Sequence, residues 1–181
     1  MLGGDFTKVK GEQITIVDGT LHGGAYEVLK YIQTHNGDIP NWNITPQINW
    51  VDMLGHENTA QERLNELNVE ILSNCITIAQ KLQLYMNANT PAQKIEVTSG
   101  WRCARVNAKY SKEEKSAHRR GSAIDFKYLN ANTLNIYKFK YKQTWDKFTY
   151  LFRANVSAPP VIHVQLTLGK GDARRSKTSL V

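Results

Sequence analysis

Long apolar runs are missing from this chain. Asn, Gln or Lys interrupts every hydrophobic stretch short of the roughly 20 residues a helix needs to cross a bilayer, so no membrane span is expected. The first residues, Met1-Leu2-Gly3-Gly4-Asp5-Phe6, lack the basic and apolar segments of a signal peptide. On that reading the chain is made in the cytoplasm and not exported by a leader of its own. Cysteine is nearly absent. Cys75 and Cys103 have no CxxC partner, which excludes a disulfide framework. Cys75 falls on an apolar helical face and reads as a core residue, while Cys103, after Trp101-Arg102, is a lone thiol and a minor candidate for metal ligation. Internal repeats and low-complexity segments are missing too, so a solenoid is set aside. With 181 residues the chain can bury a core without help from disulfides or metal.

Acid is the minority charge. Sixteen Asp and Glu face 23 Lys and Arg, for a net charge of +7, which implies attraction to polyanions such as nucleic acid or anionic cell-wall polymers. The basic residues are scattered over Lys8, Lys10, Lys109 to Lys115, Arg119, Arg120, Lys138 to Lys142 and Arg174-Arg175. No nucleic-acid motif or aromatic interleaving accompanies them, which weighs against nucleic acid as the partner. A solvated basic surface is the plainer alternative.

Local signals divide the chain. Asp18-Gly19 between two β-type runs predicts a hairpin, and Gly23-Gly24 opens a helix over about 25–34 that Asn36-Gly37 closes. His22 and His35 lie in this segment and read as ordinary polar residues. Thr59-Ala-Gln-Glu62 is a capping box, in which a hydroxyl and a carboxylate satisfy free backbone N–H groups at a helix start. Leu64, Leu67, Ile71, Cys75, Ile78 and Leu82 follow at three- and four-residue spacing and predict one long helix over about 60–87. A strand over 94–98, a turn at Gly100, a helical turn near 104–110 and a strand over 122–128 come next. A second helical stretch from Asn132, a last strand over 161–168 and a basic tail complete the chain. The class is α+β, with a small, mostly antiparallel sheet packed on the long helix.

The chemistry concentrates in Ser116-Ala-His118-Arg-Arg-Gly121-Ser-Ala123-Ile-Asp125-Phe126 and in Val161-Ile-His163-Val-Gln165. Two imidazoles and one carboxylate with a fourth position open form the ligand set of a catalytic zinc site. Asp125 and His163 can be aimed from two strands, and His118 from the loop ahead of the first. A lone strand histidine is more often a satisfied core or surface residue. Asp125, flanked by Ile124 and Phe126, is harder to read that way, because a buried carboxylate needs a cation or several donors. Arg102, on the turn after the preceding strand, could bind a substrate carboxylate or stabilise an oxyanion.

The pattern Ser116-x-His118-x-x-Gly121-x-Ala123-x-Asp125 with the late Ile162-His163-Val164 strand resembles the M15 peptidases. Val97-Thr-Ser-Gly-Trp-Arg102 is similar to that family's Ser-Gly-Tyr-Arg segment, and Asn107-Ala108 follows suit. These are zinc D-Ala-D-Ala carboxypeptidases and L-Ala-D-Glu endopeptidases of the Hedgehog/DD-peptidase fold. The nearest likeness is to the compact form found in phage lysis and virion proteins. The resemblance covers roughly residues 45–170, leaving 1–44 as an N-terminal hairpin and helix extension that could dock to phage tail or virion proteins, and 171–181 as a tail. It implies His118, Asp125 and His163 as zinc ligands, Arg102 as the substrate- or transition-state-binding arginine, and Ser116 as a site hydroxyl. The implied substrates are peptidoglycan stem peptides, reached at the wall or periplasm after lysis or virion delivery.

One position departs from the pattern. Many members carry an acid three residues before the last histidine as general base, and here that residue is Pro160. Glu113, Glu114, Asp146 and Asp172 are the candidate replacements. The alternative expectation is a catalytically degenerate member kept as a structural or wall-binding protein of a virion.

Overall fold

The computed structural model describes residues 7–9, 12–17, 20–22, 24–130, 153–154 and 161–166. Strands β1 (Thr7–Val9), β2 (Glu12–Val17) and β3 (Thr20–His22) form an antiparallel sheet in that order. Val17 pairs with Thr20 across β2 and β3, and the Asp18-Gly19 turn expected from the sequence lies outside the described residues. Helix α1 (Ala25–Thr34) buries Ala25, Val28 and Ile32 along one face, the spacing of a single amphipathic stripe.

A small hairpin of β4 (Asn43–Thr45) and β5 (Ile48–Asn49) leads into α2 (Trp50–Leu54). Asn49 and Asp52 form a capping box there, and Trp50, Met53 and Leu54 go into the core. The Thr59/Glu62 capping box read from the sequence is present and starts α3 (Ala60–Glu66).

The predicted single helix over 60–87 is two helices. Leu67 is extended (φ −75°, ψ 142°), and α4 restarts as Val69–Asn89 with Asn68 as its cap. The Asn68 side chain accepts a hydrogen bond from Ile71 N–H at 2.9 Å, an alternative to continued helix that short polar side chains offer the backbone. The break leaves Glu66 free to accept from Ala104 N–H (3.1 and 3.2 Å) and to pair with Arg119 (3.3 Å). Helix α3 is thereby tied to the segment that carries the site.

Strand β6 (Ile95–Ser99), helix α5 (Ala104–Tyr110), strand β7 (Ala123–Tyr128), β8 (Arg153–Ala154) and β9 (Ile162–Gln165) complete the described elements. The sheet runs β6-β7-β9-β8, and every neighbouring pair is antiparallel. Leu72, Cys75, Ile78, Ala79 and Leu82 of α4 share one buried core with Val97, Ile124, Phe126, Ile162 and Val164 of the sheet. The fold is therefore α+β with a small antiparallel sheet and a long helix. The helix predicted from Asn132, the end of the last strand at Thr167-Leu168 and the tail lie outside the described residues.

Two glycines allow backbones to meet. Gly121 has φ +73°, and a Cβ there would come 2.5 Å from Ile71 O and 2.8 Å from Cys75 Sγ. Together with a bond from Asn74 Nδ2 to Arg120 O (2.9 Å), this seats the 116–121 turn directly on α4. Gly100 serves close approach rather than the tight turn expected of it. A Cβ there would stand 2.5 Å from Met53 O, the carbonyl to which Trp101 N–H donates at 2.7 Å.

Candidate metal centre

The register of the sheet assembles most of the site. Asp125 on β7 lies directly opposite His163 on β9 and opposite Ser99 on β6, so the three occupy one row across the strands. A register shift between Val97 and Ser99 sets Ser99 opposite Asp125; such irregularities recur where a strand must re-aim a side chain.

His118 comes from the turn. Hydrogen bonds from Arg119 N–H to Ser116 O (3.0 Å), Gly121 N–H to His118 O (3.2 Å) and Ser122 N–H to Ala117 O (3.0 Å) coil residues 116–122. Arg102 N–H donates to His118 O at 3.1 Å, and the His118 ring bonds Gly100 O through Nδ1 at 2.6 Å. A carbonyl only accepts, so Nδ1 carries the hydrogen and Nε2 is left as the lone-pair nitrogen. Nε2 lies 3.3 Å from both His163 Nδ1 and Asp125 Oδ1.

His163 is fixed from its other side, where Nε2 meets Gln165 Oε1 at 2.8 Å. Its Nδ1 is 2.7 Å from Asp125 Oδ1, a hydrogen-bond distance. His118, Asp125 and His163 thus offer three ligand atoms within 4.8 Å of one another, and they are the residues of the one such group among those described. Tetrahedral donors about 2.0–2.1 Å from a zinc ion stand roughly 3.3 Å apart, the separation His118 Nε2 already keeps from its two partners. The donor set fits a divalent metal that favours imidazole and carboxylate, with a position left for a further ligand.

Charge in the cluster is compensated from within. His118 and His163 are buried, at 5% and 6% exposure. Burial holds the His118 imidazole below its ordinary pKa, keeping it neutral as a ligand must be. Burial alone would raise the Asp125 carboxyl, but the neighbouring imidazoles, His118 foremost and then His163, hold it well below the usual carboxylate range. Arg102 supplies the fixed counter-charge. Its NH2 group donates to Asp125 Oδ2 at 2.7 Å and its Nε to Ser99 Oγ at 2.8 Å. Oδ2 is thus occupied by the guanidinium while Oδ1 faces the imidazoles. Tyr110 lies over Arg102, with its ring centre 5.2 Å from the guanidinium carbon, and donates its hydroxyl to Glu57 Oε1 at 2.6 Å.

The other predicted positions are also placed. Ser116 is buried; its hydroxyl donates to Asn107 Oδ1 at 2.5 Å and accepts from Arg119 N–H at 3.3 Å, joining α5 to the turn. Cys103 caps α5, its sulfur accepting from Val106 N–H at 3.4 Å, and burial pushes its thiol pKa up. It is not part of the metal group. Glu113 and Glu114 are exposed on the stretch ahead of Ser116, and Asp146, Pro160 and Asp172 lie outside the described residues. Sequence reading missed Ser99, the Gly100 carbonyl and Gln165. Of these only Gln165 left a signal, a polar residue two positions after a ligand on a strand, hence on the same face.

A family model described as Peptidase M15 matches residues 57–164, a span that includes Arg102, Ser116, His118, Asp125 and His163. No curated protein matches the chain, and no solved structure does.

Proposed function

The chain belongs to the peptidase M15 family, and from that footing we propose that it is a zinc-dependent peptidase of the Hedgehog/DD-peptidase fold that cleaves peptidoglycan stem peptides at bonds involving D-amino acids. The observation that carries this reading is the convergence of His118 Nε2, Asp125 Oδ1 and His163 Nδ1, with the far nitrogen of each imidazole already anchored. A zinc ion held by these three residues would supply Lewis-acid chemistry and lower the pKa of a water there to roughly 7.

The chain's own residues do the rest. His118 and His163 present lone pairs from fixed rings. Asp125 contributes one oxygen and gives the other to Arg102, which limits it to a single ligand atom. Arg102 is the proposed contact for a substrate carboxylate or a developing oxyanion, its other donors being held by Ser99 and Asp125. Ser116 is the proposed site hydroxyl from the family pattern, and its bond to Asn107 sets the turn that carries His118. The base that takes a proton from the attacking water comes from Glu113, Glu114, Asp146 or Asp172, since Pro160 fills the usual place; such help is typically worth about 10²–10⁴ in rate.

A net charge of +7 suits an anionic wall as the working surface. Among the described residues no helix is long and apolar enough to cross a membrane. From the resemblance to compact phage-type members, the proposal includes a phage setting, with the wall reached after lysis or on a virion and residues 1–44 docking to a tail or virion protein. Pro160 favours a second reading, a degenerate member kept for architecture or wall binding.

Digestion of purified peptidoglycan by the zinc-loaded chain, against a chelated control and read by mass spectrometry, separates the two. Metal-dependent release of D-Ala or stem peptides establishes the peptidase and names the bond. Absence of products with one zinc bound per chain establishes the second reading instead.

A further inference from the structure

A metal ligand on a strand has a direction but not, by itself, a protonation pattern. Imidazole in its neutral form carries one hydrogen, and only the nitrogen without it can bind a metal. For His118 the choice is made by a backbone carbonyl, which no side-chain substitution can remove. For His163 no backbone carbonyl among the described residues does this: its Nε2 meets the side-chain amide of Gln165.

Gln165 is built into that place. It is two residues along β9 from His163 and therefore on the same face of the sheet, and it is 2% exposed. The residue opposite it on β7 is Ala123, whose methyl group leaves room beside His163 for a longer side chain. Gln165 Oε1 stands 2.8 Å from His163 Nε2, while its Nε2 is buried with no hydrogen-bond partner among the described residues. The bond to His163 Nε2 is the side chain's one hydrogen bond among the described residues, so the Gln165 amide is oriented by its oxygen.

We propose that Gln165 is the positioning residue for His163: its amide oxygen accepts the Nε2 hydrogen, fixes the tautomer with Nδ1 unprotonated, and so presents Nδ1 to the metal. This rests on the reading of His118, Asp125 and His163 as a metal site. A glutamine is suited to the metal-free protein as well. There His163 Nδ1 and Asp125 Oδ1, 2.7 Å apart, share a hydrogen, and a glutamine side chain can turn its NH2 rather than its oxygen to a deprotonated Nε2. Gln165 thus serves both states of His163. A glutamate serves only the one with hydrogen on Nε2, and a methionine serves neither.

The test is zinc affinity of the full chain, by competition with a chromophoric chelator, for wild type, Gln165→Met and Gln165→Glu. Loss of an outer partner of a ligating histidine typically weakens metal binding about 10–100-fold. That loss is expected for Gln165→Met, with recovery to near wild type in Gln165→Glu. Equal affinity of wild type and Gln165→Met overturns the proposal. Should Gln165→Met fail to fold, imidazole ¹H–¹⁵N spectra of the zinc-loaded wild type decide: hydrogen on His163 Nε2 is expected, and hydrogen on Nδ1 overturns it. A wild type that binds no zinc overturns the metal site itself, and the proposal with it.

Discussion

Removal of the Asp125 carboxylate tests the site at its centre. In the folded chain that group accepts from Arg102 NH2 at 2.7 Å, meets His163 Nδ1 at 2.7 Å, and lies 3.3 Å from His118 Nε2. The side chains of Arg102 and Asp125 are only 13% and 15% exposed. Asp125→Ala therefore leaves a guanidinium in a mostly buried place without its counter-charge. Breaking a buried pair from one side typically costs about 3–5 kcal/mol. The exposure that remains puts the metal-free variant near the lower end, about 3 kcal/mol. For a chain of this length each kcal/mol moves the unfolding midpoint by roughly 2–4 °C, so a fall of about 10 °C is expected by calorimetry. Zinc content, measured by mass spectrometry after dialysis, should drop from one per chain to none. Arg102→Ala should keep its zinc but reduce turnover. The double variant should be less destabilised than the sum of the single ones, because it leaves neither charge unpaired. Retention of zinc at wild-type stoichiometry in Asp125→Ala would refute the ligand assignment. An unchanged midpoint would refute the charge-compensation argument.

Two further outcomes follow from the same geometry. Gly121→Ala should destabilise by well over 1 kcal/mol and lower zinc retention, since φ is +73° and the new methyl would meet Ile71 O and Cys75 Sγ on α4; urea unfolding and metal analysis check both. Acidification should destabilise the metal-free chain in two stages. His118 has a lowered pKa when folded, so the unfolded chain binds more protons once pH falls below about 6.5, and stability declines from there. The carboxyl of Asp125 is also depressed, so its contribution is present above the ordinary carboxylate value near 3.8 and is lost as pH falls through its lower folded value. Stability that stays level from pH 7 to pH 5 would contradict the buried neutral His118.

Much of the local structure was legible because it depends on neighbours in sequence. The helix over 25–34, the helical turn near 104–110 and the Thr59/Glu62 cap all occur where periodicity and capping residues put them. The join between α3 and α4 was not. Leu67 continues the apolar stripe and is buried in the extended conformation, and Asn68 becomes a cap. Glu66 gains partners from Ala104 and Arg119, 38 and 53 positions away, and those contacts are invisible to a period count. Gly100 misled for a similar reason, since its need for hydrogen in place of Cβ comes from Met53 on another element.

The candidate metal set divides in the same way. Residue type and the two-residue period of a strand are properties of the chain itself; they made His118, Asp125 and His163 candidates, and the resemblance to the M15 pattern, not spacing alone, implied them as ligands. Tertiary structure decided which atom each one offers. Gly100 O takes the Nδ1 hydrogen of His118, Gln165 meets His163 Nε2, and Arg102 occupies one oxygen of Asp125. An imidazole or carboxylate has two chemically similar donor atoms, and the partner packed against one of them decides which atom remains as the candidate ligand.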